Sequence, residues 1–344
     1  MMTDESTFKR LLANKERIPD PMRYKKETMH YRRAGKSGLK LPEISLGLWH
    51  NFGSFDNFEN MRDMIFTAFD NGITHFDLAN NYGPRNGSAE ENFGKILRDQ
   101  LSSYRDEMLI STKAGFGMWK GPYGDGGSKK YLTASLDQSL KRMGLDYVDI
   151  FYHHRPAPET PIEETCYTLH RLVEQGKALY IGISNYDRKQ TEAALRVFRE
   201  LKTPFILNQS CYNLLDRRVE ENGLLDCAKE NGFGLIVYSP LAQGLLTDRY
   251  RYGIPADSRI KKSFTLKEER LTPTLQMQLD GLRDIAEERG ETLPELALSW
   301  VLKDETVSSV IIGASSSAQI LDNLKIDPSF TQEELDAIEK VLHS

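Results

Sequence analysis

Four residues of this 344-residue chain have side chains that together could move a proton to or from an oxygen atom. Asp77 and Tyr82 lie in the stretch HFDLANNYG, Lys113 lies in ISTKAG and His154 lies in DIFYHH. A free phenol has a pKa of about 10, and a neighbouring ammonium group favours the phenolate and lowers that value. A carboxylate would hold the ammonium in place, and an imidazole could orient a substrate oxygen. The set therefore predicts general acid–base catalysis on a carbonyl compound or an alcohol.

Each of these residues also has a purely structural interpretation when it is considered alone. The aspartate could cap a turn, the lysine could extend out of the core, the tyrosine could pack in a loop, and the histidine could be a satisfied core residue. As a set they are harder to explain in this way, because a buried lysine and a buried aspartate require each other.

The elements that would position these residues alternate between two patterns. Eight short Val/Ile/Leu-rich runs, typical of parallel strands buried on both faces, cover residues 43–49, 73–79, 108–114, 148–154, 178–184, 205–210, 234–239 and 308–314. Amphipathic helical patterns separate them, which predicts a parallel sheet with right-handed crossovers. Eight repeats predict closure into a (β/α)8 TIM barrel. The alternative, an open doubly wound sheet, usually carries G-x-G-x-x-G after its first strand, and this chain has no such motif.

Local signals place several helix ends and the connections between elements. Ser88–Glu91 and Thr160–Glu163 have the capping-box pattern, with Pro161 at the first helical position. Asp187 is a candidate cap, Gly144 is a candidate stop, and two helices are expected within residues 272–304. The stretch YRRAGKSGLKLPEI predicts an N-terminal β-hairpin that plugs the lower end of the barrel. Long loops at 116–130 and 241–270 follow strands and should lie on the C-terminal face, where barrels carry their chemistry.

The composition restricts the partners and the compartment. Apolar residues make up 39% and charged residues 28%, with a net charge of −5, and no Lys/Arg cluster resembles a nucleic-acid-binding patch. Three cysteines without metal-binding spacing predict a reducing compartment and no metal site. The polar N-terminus lacks a signal peptide and no run could span a bilayer. We therefore expect a cytoplasmic protein with no nucleic-acid or membrane partner.

Six separated motifs then point to a family: GITHFDLANNYG, ISTKAG, VDIFYHHRPAPETPIEET, GISNYD, YSPLAQGLL and IIGASSSAQILDN. The chain resembles the aldo-keto reductase superfamily from about residue 29 to the C-terminus, and the six motifs occur in the order that the family has. The resemblance implies one barrel domain over 29–344 and NADPH-dependent reduction of carbonyl compounds. It leaves residues 1–28 as an N-terminal extension, either mobile or part of an interface.

The resemblance also implies roles for the four polar residues. Asp77, Tyr82, Lys113 and His154 match the family's catalytic tetrad, with Tyr82 as the acid. The histidine is His154, because the family places it five residues after the strand's aspartate, here at position 149. The preceding histidine should point to the other side of the strand.

The same resemblance implies an NADP(H) site along the later strands. Amide and hydroxyl groups at the ends of strands five and six suit a nicotinamide carboxamide, and the segment after strand seven would offer backbone N–H groups to the pyrophosphate. The expected cofactor-binding residues are Trp49, Ser184, Asn185, Gln209, Tyr238, Ser239, Pro240, Leu241, Gln243, Gly244, Arg249, Arg259, Gly313, Ser315, Gln319, Asp322 and Asn323. Ser315 taken alone could equally be a helix cap. Because GASSSAQ lacks the basic residue common in the family, Arg259 with Lys261 or Lys262 would have to contact the 2′-phosphate.

Two branches of the family share YRRAGKSGLKLP and DLANNYGP with this chain. One contains the β subunits of voltage-gated potassium channels, which bind NADP(H) as interaction modules with little turnover. The other contains enzymes that resemble L-glyceraldehyde 3-phosphate reductase and also act on methylglyoxal-like aldehydes. Three features favour the enzyme. Residues 46–53 and 118–155 look like the reductases nearly throughout, and position 154 is a histidine where channel subunits carry asparagine. The N-terminus also lacks a long regulatory extension.

We therefore expect a reductase of small aldehydes, with the channel-type module as the alternative. A third class, oxidation of alcohols with NADP+, is not separated from reduction by the sequence. The expected substrate residues are Trp49, Tyr82, Trp119 and His154, although Trp49 could instead pack in the barrel. The homo-oligomeric state is not determined by the sequence.

Overall fold

The computed structural model describes residues 17–26, 29–255, 259–262 and 266–344. Its centre is a closed ring of eight parallel strands with helices outside it, which confirms the predicted (β/α)8 barrel. Residues 1–16 and 27–28 of the expected extension lie outside the described residues.

Two short strands precede the barrel, β1 (Tyr31–Arg33) and β2 (Lys40–Pro42), and pair antiparallel as the predicted hairpin. The barrel strands are β3 (Ile44–Gly47), β4 (His75–Asp77), β5 (Leu109–Ala114), β6 (Val148–His153), β7 (Ala178–Ser184), β8 (Phe205–Cys211), β9 (Gly234–Tyr238) and β10 (Val307–Ile312). Each pairs with the next in chain order, and β10 closes the ring on β3. All eight predicted strands are therefore present, with ends that differ by a few residues.

The described helices surround the barrel: α1 (Phe58–Asp70), α2 (Ser88–Ile96), α3 (Lys129–Met143), α4 (Ile162–Glu174), α5 (Arg188–Leu201), α6 (Arg218–Glu221), α7 (Leu224–Asn231), α8 (Arg259–Lys262), α9 (Pro273–Glu288), α10 (Leu293–Val301), α11 (Ser317–Asp322) and α12 (Gln332–Leu342). A π-helical turn, Leu97–Leu101, extends α2. The two helices expected within residues 272–304 are α9 and α10, which confirms that prediction. Among the described residues, no helix has the length and apolar character needed to cross a bilayer.

The helix ends show where local sequence signals were sufficient. Asp187 caps α5 through a complete capping box with Gln190, and Gly144 ends α3 in the left-handed conformation, as predicted. The capping box predicted at Ser88 is wrong, because Gly87 is the cap residue and the Ser88 hydroxyl donates instead to the Pro84 carbonyl.

The helix after β6 also starts differently from the prediction. Pro161 is the cap residue of α4 rather than its first helical residue, and no side chain caps this end. The reason is that Pro161 has an extended ψ of 133°, which places the first helical turn one residue later.

The hairpin closes the N-terminal end of the barrel. Ala34 and Leu41 are fully buried against side chains of the barrel interior. The Lys36 N–H donates to the Gly232 carbonyl at 2.9 Å, so the hairpin turn is bonded to the segment that precedes β9. This contact leaves the opposite, C-terminal end as the open one.

Residues 17–26 lie on the outer surface of the same barrel. Arg17 forms ion pairs with Asp63 and Asp70 of α1. The guanidinium of Arg23 is paired with Glu107 and lies 4.8 Å from the centre of the Phe69 ring. This part of the extension is therefore bound to the barrel through buried and half-buried cations.

The hairpin contact generates a stability prediction at Gly35. This residue has φ of +55°, and an added Cβ would lie 2.3 Å from the Gly232 carbonyl oxygen. Gly35→Ala should lower the free energy of unfolding by about 1–3 kcal/mol, because backbone must move to relieve the overlap. The free energy of unfolding is measured by urea titration, with circular dichroism as the probe of unfolding.

Gly38 of the same hairpin is the matched control. An added Cβ there would meet nothing within 4 Å. Gly38→Ala should therefore change the free energy of unfolding by less than about 0.5 kcal/mol. Equal unfolding midpoints for the two variants would contradict the plug geometry.

Candidate active site

The four residues chosen from the sequence meet at the C-terminal ends of three adjacent strands. Asp77 is the last residue of β4, Lys113 is next to last in β5, and His154 follows the end of β6. Tyr82 lies in the loop after β4 and returns over the barrel mouth. In a parallel barrel these strand ends share one rim, so residues far apart in the sequence become neighbours.

Lys113 and Asp77 form a buried ion pair at the centre of this rim. The Nζ atom of Lys113 lies 2.5 Å from Asp77 Oδ2, and the two residues are 0% and 2% exposed. The ammonium also donates to the Leu78 carbonyl at 2.6 Å and to Tyr82 Oη at 3.3 Å. An ammonium group has three donors, and these three acceptors use all of them.

Burial controls the protonation of the phenol more strongly than the ammonium does. The sequence predicted that the lysine would lower the pKa of Tyr82. In the structure burial raises the pKa of Tyr82 well above 10, with further contributions from the charges of Asp77 and Tyr238. Burial also lowers the pKa of Lys113, and the Asp77 carboxylate opposes that shift. The phenol is therefore protonated across the neutral range, which suits a proton donor.

His154 contributes a neutral imidazole to the same mouth. Burial lowers its pKa well below the ordinary value of 6.5, and the Lys113 charge lowers it further. Its ring centre lies 5.9 Å from that of Tyr82 and 4.7 Å from that of Phe116. Its Nδ1 atom is buried and has no hydrogen-bond partner among the described residues.

His153 points to the opposite side of β6, as strand alternation predicts. Its Nδ1 lies 2.6 Å from the Tyr186 hydroxyl, and its Nε2 lies 3.4 Å from the Gly126 carbonyl. Burial lowers the pKa of His153 to about 4, so the ring is neutral. This histidine links the loop after β5 to the barrel.

The residues expected to bind the nicotinamide form the next part of the rim. Asn185 donates to Ser184 Oγ at 3.2 Å and accepts from the Tyr238 hydroxyl at 2.7 Å. Gln209 donates to Asp77 Oδ1 at 3.1 Å, so the amide of β8 contacts the carboxylate of the ion pair. Amide and hydroxyl groups aligned on β7, β8 and β9 fit the carboxamide of a nicotinamide.

The segment after β9 has the backbone expected of a pyrophosphate site. Ser239, Ala242 and Gln243 have φ of 55°, 46° and 60°, and Gly244 has 97°. Left-handed residues beside right-handed ones are the backbone pattern from which anion-binding concavities are built. The N–H groups of Ala242 and Gly244 themselves donate to the carbonyls of Ser239 and Leu241. Pro240 and Leu241 complete this segment, and Arg249 is exposed in the next turn.

The expected adenosine-binding residues lie around the short helix after β10. Gly313, Ser315, Gln319 and Asp322 are exposed and Asn323 is buried. The cap of α11 is Ser316, while the Ser315 amide and hydroxyl both bond the Gln319 side chain. Ser315 is therefore not the helix cap that the structural interpretation proposed. The side chains of Arg259 and Lys262 lie outside the described residues, and Lys261 is paired with Glu268.

Of the tryptophan, tyrosine and phenylalanine residues around the barrel mouth, Trp49 is the one that lies beside the phenol among the described contacts. Trp49 is 44% exposed and its ring centre lies 6.2 Å from that of Tyr82, so it lines the open mouth and is not a barrel packing residue. Trp119 is half-buried and its ring lies 5.2 Å from that of Tyr131. Tyr123 is largely exposed.

Sequence reasoning missed a set of buried polar residues beneath the ion pair. Ser111 donates to Asp77 Oδ1 at 2.7 Å, and His75 lies 2.9 Å from Ser111 and 2.8 Å from Ser45. These are ordinary residues inside apolar strands. The available signal was that Ser111 and Lys113, two positions apart in β5, point to the same side of the strand.

The chain is similar to known proteins over most of its length. Residues 43–343 match the model of the aldo/keto reductase family. The chain is 52% identical over 330 residues to L-glyceraldehyde 3-phosphate reductase of Escherichia coli strain K12, which covers 94% of each protein. It is 38% identical over 324 residues to a probable voltage-gated potassium channel subunit beta of Arabidopsis thaliana, covering 92% of this chain and 97% of that protein.

This chain therefore belongs to the aldo/keto reductase family. It is an oxidoreductase that acts on aldehydes, as the sequence predicted.

The buried ion pair generates a prediction about stability. Lys113→Met should lower the free energy of unfolding by about 3–5 kcal/mol, because the Asp77 carboxylate is then buried without its cation. The double variant Asp77→Asn with Lys113→Met should recover much of the loss, since no uncompensated charge remains. Chemical unfolding of all variants at one pH measures both.

An ion pair on the protein surface, with a similar distance between its charged atoms, provides the control. Lys177 lies 2.7 Å from Asp137, with both side chains partly exposed. Lys177→Met should cost only about 0–1 kcal/mol. If the double variant Asp77→Asn with Lys113→Met were as unstable as Lys113→Met alone, the unpaired carboxylate would not explain the loss of stability.

Proposed function

We propose that this chain reduces small aldehydes to alcohols with NADPH, and that Tyr82 donates the proton. The observation that carries the proposal is the hydrogen bond from the Lys113 ammonium to the Tyr82 oxygen. Because the oxygen accepts this bond, the phenol's own proton is directed elsewhere and is available to a substrate oxygen at the open mouth.

The residues of the chain would act together on that oxygen. Reduction places negative charge on the substrate oxygen, which becomes a stronger base than a phenolate, so a phenol with a raised pKa can still protonate it. The neutral His154 ring would hydrogen-bond the same oxygen and orient the carbonyl. Lys113 would stabilise the phenolate left behind, and Asp77 would hold the lysine. When bound, NADPH supplies the hydride.

The donor set described above supports the cofactor assignment. Ser184, Asn185 and Gln209 would hold the carboxamide, Tyr238 would lie against the nicotinamide ring, and the left-handed segment 239–244 would bind the pyrophosphate. Arg259 is proposed for the 2′-phosphate, since a guanidinium binds phosphate through paired donors.

The proposed substrates are L-glyceraldehyde 3-phosphate and methylglyoxal-like aldehydes. The support is the 52% identity to a reductase of that name, against 38% for the potassium channel subunit. Trp49 and Trp119 would form the walls around a small substrate. Three cysteines without disulfides support a reducing compartment, and we propose the cytoplasm.

Replacement of the proton donor tests the proposal. Tyr82→Phe should lower kcat by about 10²–10⁴-fold, the usual contribution of a general acid, while the Kd for NADPH changes little. Steady-state assays of NADPH oxidation and fluorescence titration of the cofactor measure the two quantities.

Tyr123→Phe is the matched control, because Tyr123 is an exposed tyrosine of the loop after β5. It should leave kcat unchanged. Full activity in Tyr82→Phe would show that another group donates the proton. Tight NADPH binding with negligible turnover in the unaltered chain would favour the channel-type module.

A second test addresses the cofactor. NADPH should be preferred over NADH, and Arg259→Ala should weaken NADPH binding by about 10–100-fold, the value of one charge-assisted hydrogen bond. Binding of NADH, which lacks the 2′-phosphate, should be unchanged. If Arg259→Ala weakened the binding of NADPH and NADH equally, Arg259 would not contact the 2′-phosphate.

A further inference from the structure

A line of four polar side chains runs through the barrel interior and ends at the catalytic carboxylate. Ser309 of β10 lies 2.6 Å from Ser45 of β3, Ser45 lies 2.8 Å from His75 of β4, and His75 lies 2.9 Å from Ser111 of β5. Ser111 then donates to Asp77 at 2.7 Å. The line therefore crosses four strands of the ring.

The protons available on each side chain determine which group donates and which accepts in each hydrogen bond. A carboxylate only accepts, so the single Ser111 hydroxyl proton goes to Asp77. The Ser111 oxygen must then accept the His75 bond, which requires the proton of the imidazole to be on Nε2. Because the buried ring is neutral, with its pKa lowered to about 4 by burial, Nδ1 carries a lone pair.

The remaining bonds follow in the same way. Nδ1 of His75 accepts the Ser45 proton, and the Ser45 oxygen accepts from Ser309. Ser309 has a second acceptor, the Glu43 carbonyl, but at the longer distance of 3.5 Å. Every bond of the line thus donates toward Asp77.

The line ends inside the protein. Ser309, Ser45, His75 and Ser111 are all 0% exposed, and Asp77 is 2% exposed. A fully buried line cannot readily exchange protons with solvent, so its role is to orient the carboxylate.

The orientation matters because the two carboxylate oxygens have different partners. Oδ1 of Asp77 accepts from Ser111 and from Gln209, while Oδ2 accepts from Lys113. Rotation of the carboxylate would break the Ser111 and Gln209 bonds. A fixed Oδ2 fixes the ammonium, and the ammonium fixes the Tyr82 oxygen.

We propose that His75 is a positioning residue, held as its Nε2–H tautomer, which acts through Ser111 to orient Asp77 and hence the proton-donating set. The proposal deepens the function proposed above and rests on it for the effect on turnover. The tautomer itself follows from the geometry and can be measured without activity.

The first test is spectroscopic and uses the unaltered chain without cofactor. Long-range 1H–15N spectra of protein with 15N-labelled histidine distinguish protonated from unprotonated ring nitrogens, and loss of signals in His75→Gln assigns His75 among the seven histidines. The expected result is a protonated Nε2 and an unprotonated Nδ1 across pH 6–8. A protonated Nδ1 would overturn the proposal, whatever Tyr82→Phe shows.

The second test is kinetic. Ser111→Ala should lower kcat by about 10–100-fold, the value of one hydrogen bond to a charged group, with little change in substrate KM or in the Kd for NADPH. Ser111→Thr, which retains the hydroxyl, should restore most of the turnover. Unchanged kcat in folded Ser111→Ala, or failure of Ser111→Thr to exceed it, would overturn the positioning role.

Ser308→Ala is the matched control. Ser308 is also a buried serine of β10, but its hydroxyl donates to the Arg33 carbonyl, away from the line. Its loss should affect stability and leave kcat unchanged. A drop in kcat equal to that of Ser111→Ala would show a general loss of packing and overturn the proposal. Normal turnover in Tyr82→Phe with the expected tautomer would refute the proposed acid but leave the tautomer standing.

Discussion

The ion pair between Lys113 and Asp77 is the interaction on which the rest of the site depends. Two charges removed from water are tolerated only when their geometry is good and their remaining donors and acceptors are satisfied. Here the ammonium has three acceptors, and the carboxylate receives bonds on both oxygens. Satisfying the pair therefore positions the groups that bond to it, including the phenol.

Burial around this pair leaves the neighbouring groups neutral. The pKa of Tyr82 is raised, whereas the pKa values of His75, His153 and His154 are lowered. The phenol of Tyr82 and the imidazole of His154 beside the Lys113–Asp77 pair are therefore both uncharged. A phenol that keeps its proton and an imidazole that stays neutral are suited to donating toward an oxygen that gains negative charge, which is the direction of reduction.

The two ends of the barrel differ in structure and in function. The N-terminal end is closed by the hairpin, and its turn approaches the backbone near Gly232 closely enough to require glycine at position 35. The C-terminal end carries the long loops, and the loop after β5 is bonded to α3 through Tyr131 and to β6 through His153. This division is usual for barrels, where strand ends on one face support catalysis and the other face supports stability.

The sequence by itself determined the architecture and the identity of the main groups. Strands buried on both faces give continuous apolar runs, so eight strands could be recognised, and Asp77, Lys113 and His154 could be placed at their ends. Signals that depend on a few neighbouring residues succeeded at Asp187 and Gly144. They failed at Ser88, whose hydroxyl had a competing acceptor at Pro84, and at Pro161, whose ψ delays the helix.

Only the tertiary structure decided how the groups are coupled. Ser309 and Ser45 are 264 residues apart and meet only because β10 closes the ring on β3. The direction of the shift in the pKa of Tyr82 was predicted wrongly, because the sequence shows a neighbouring cation but not the burial that outweighs it. Strand identity is a local property of the chain, whereas hydrogen-bond partners and desolvation are set by which strands become neighbours.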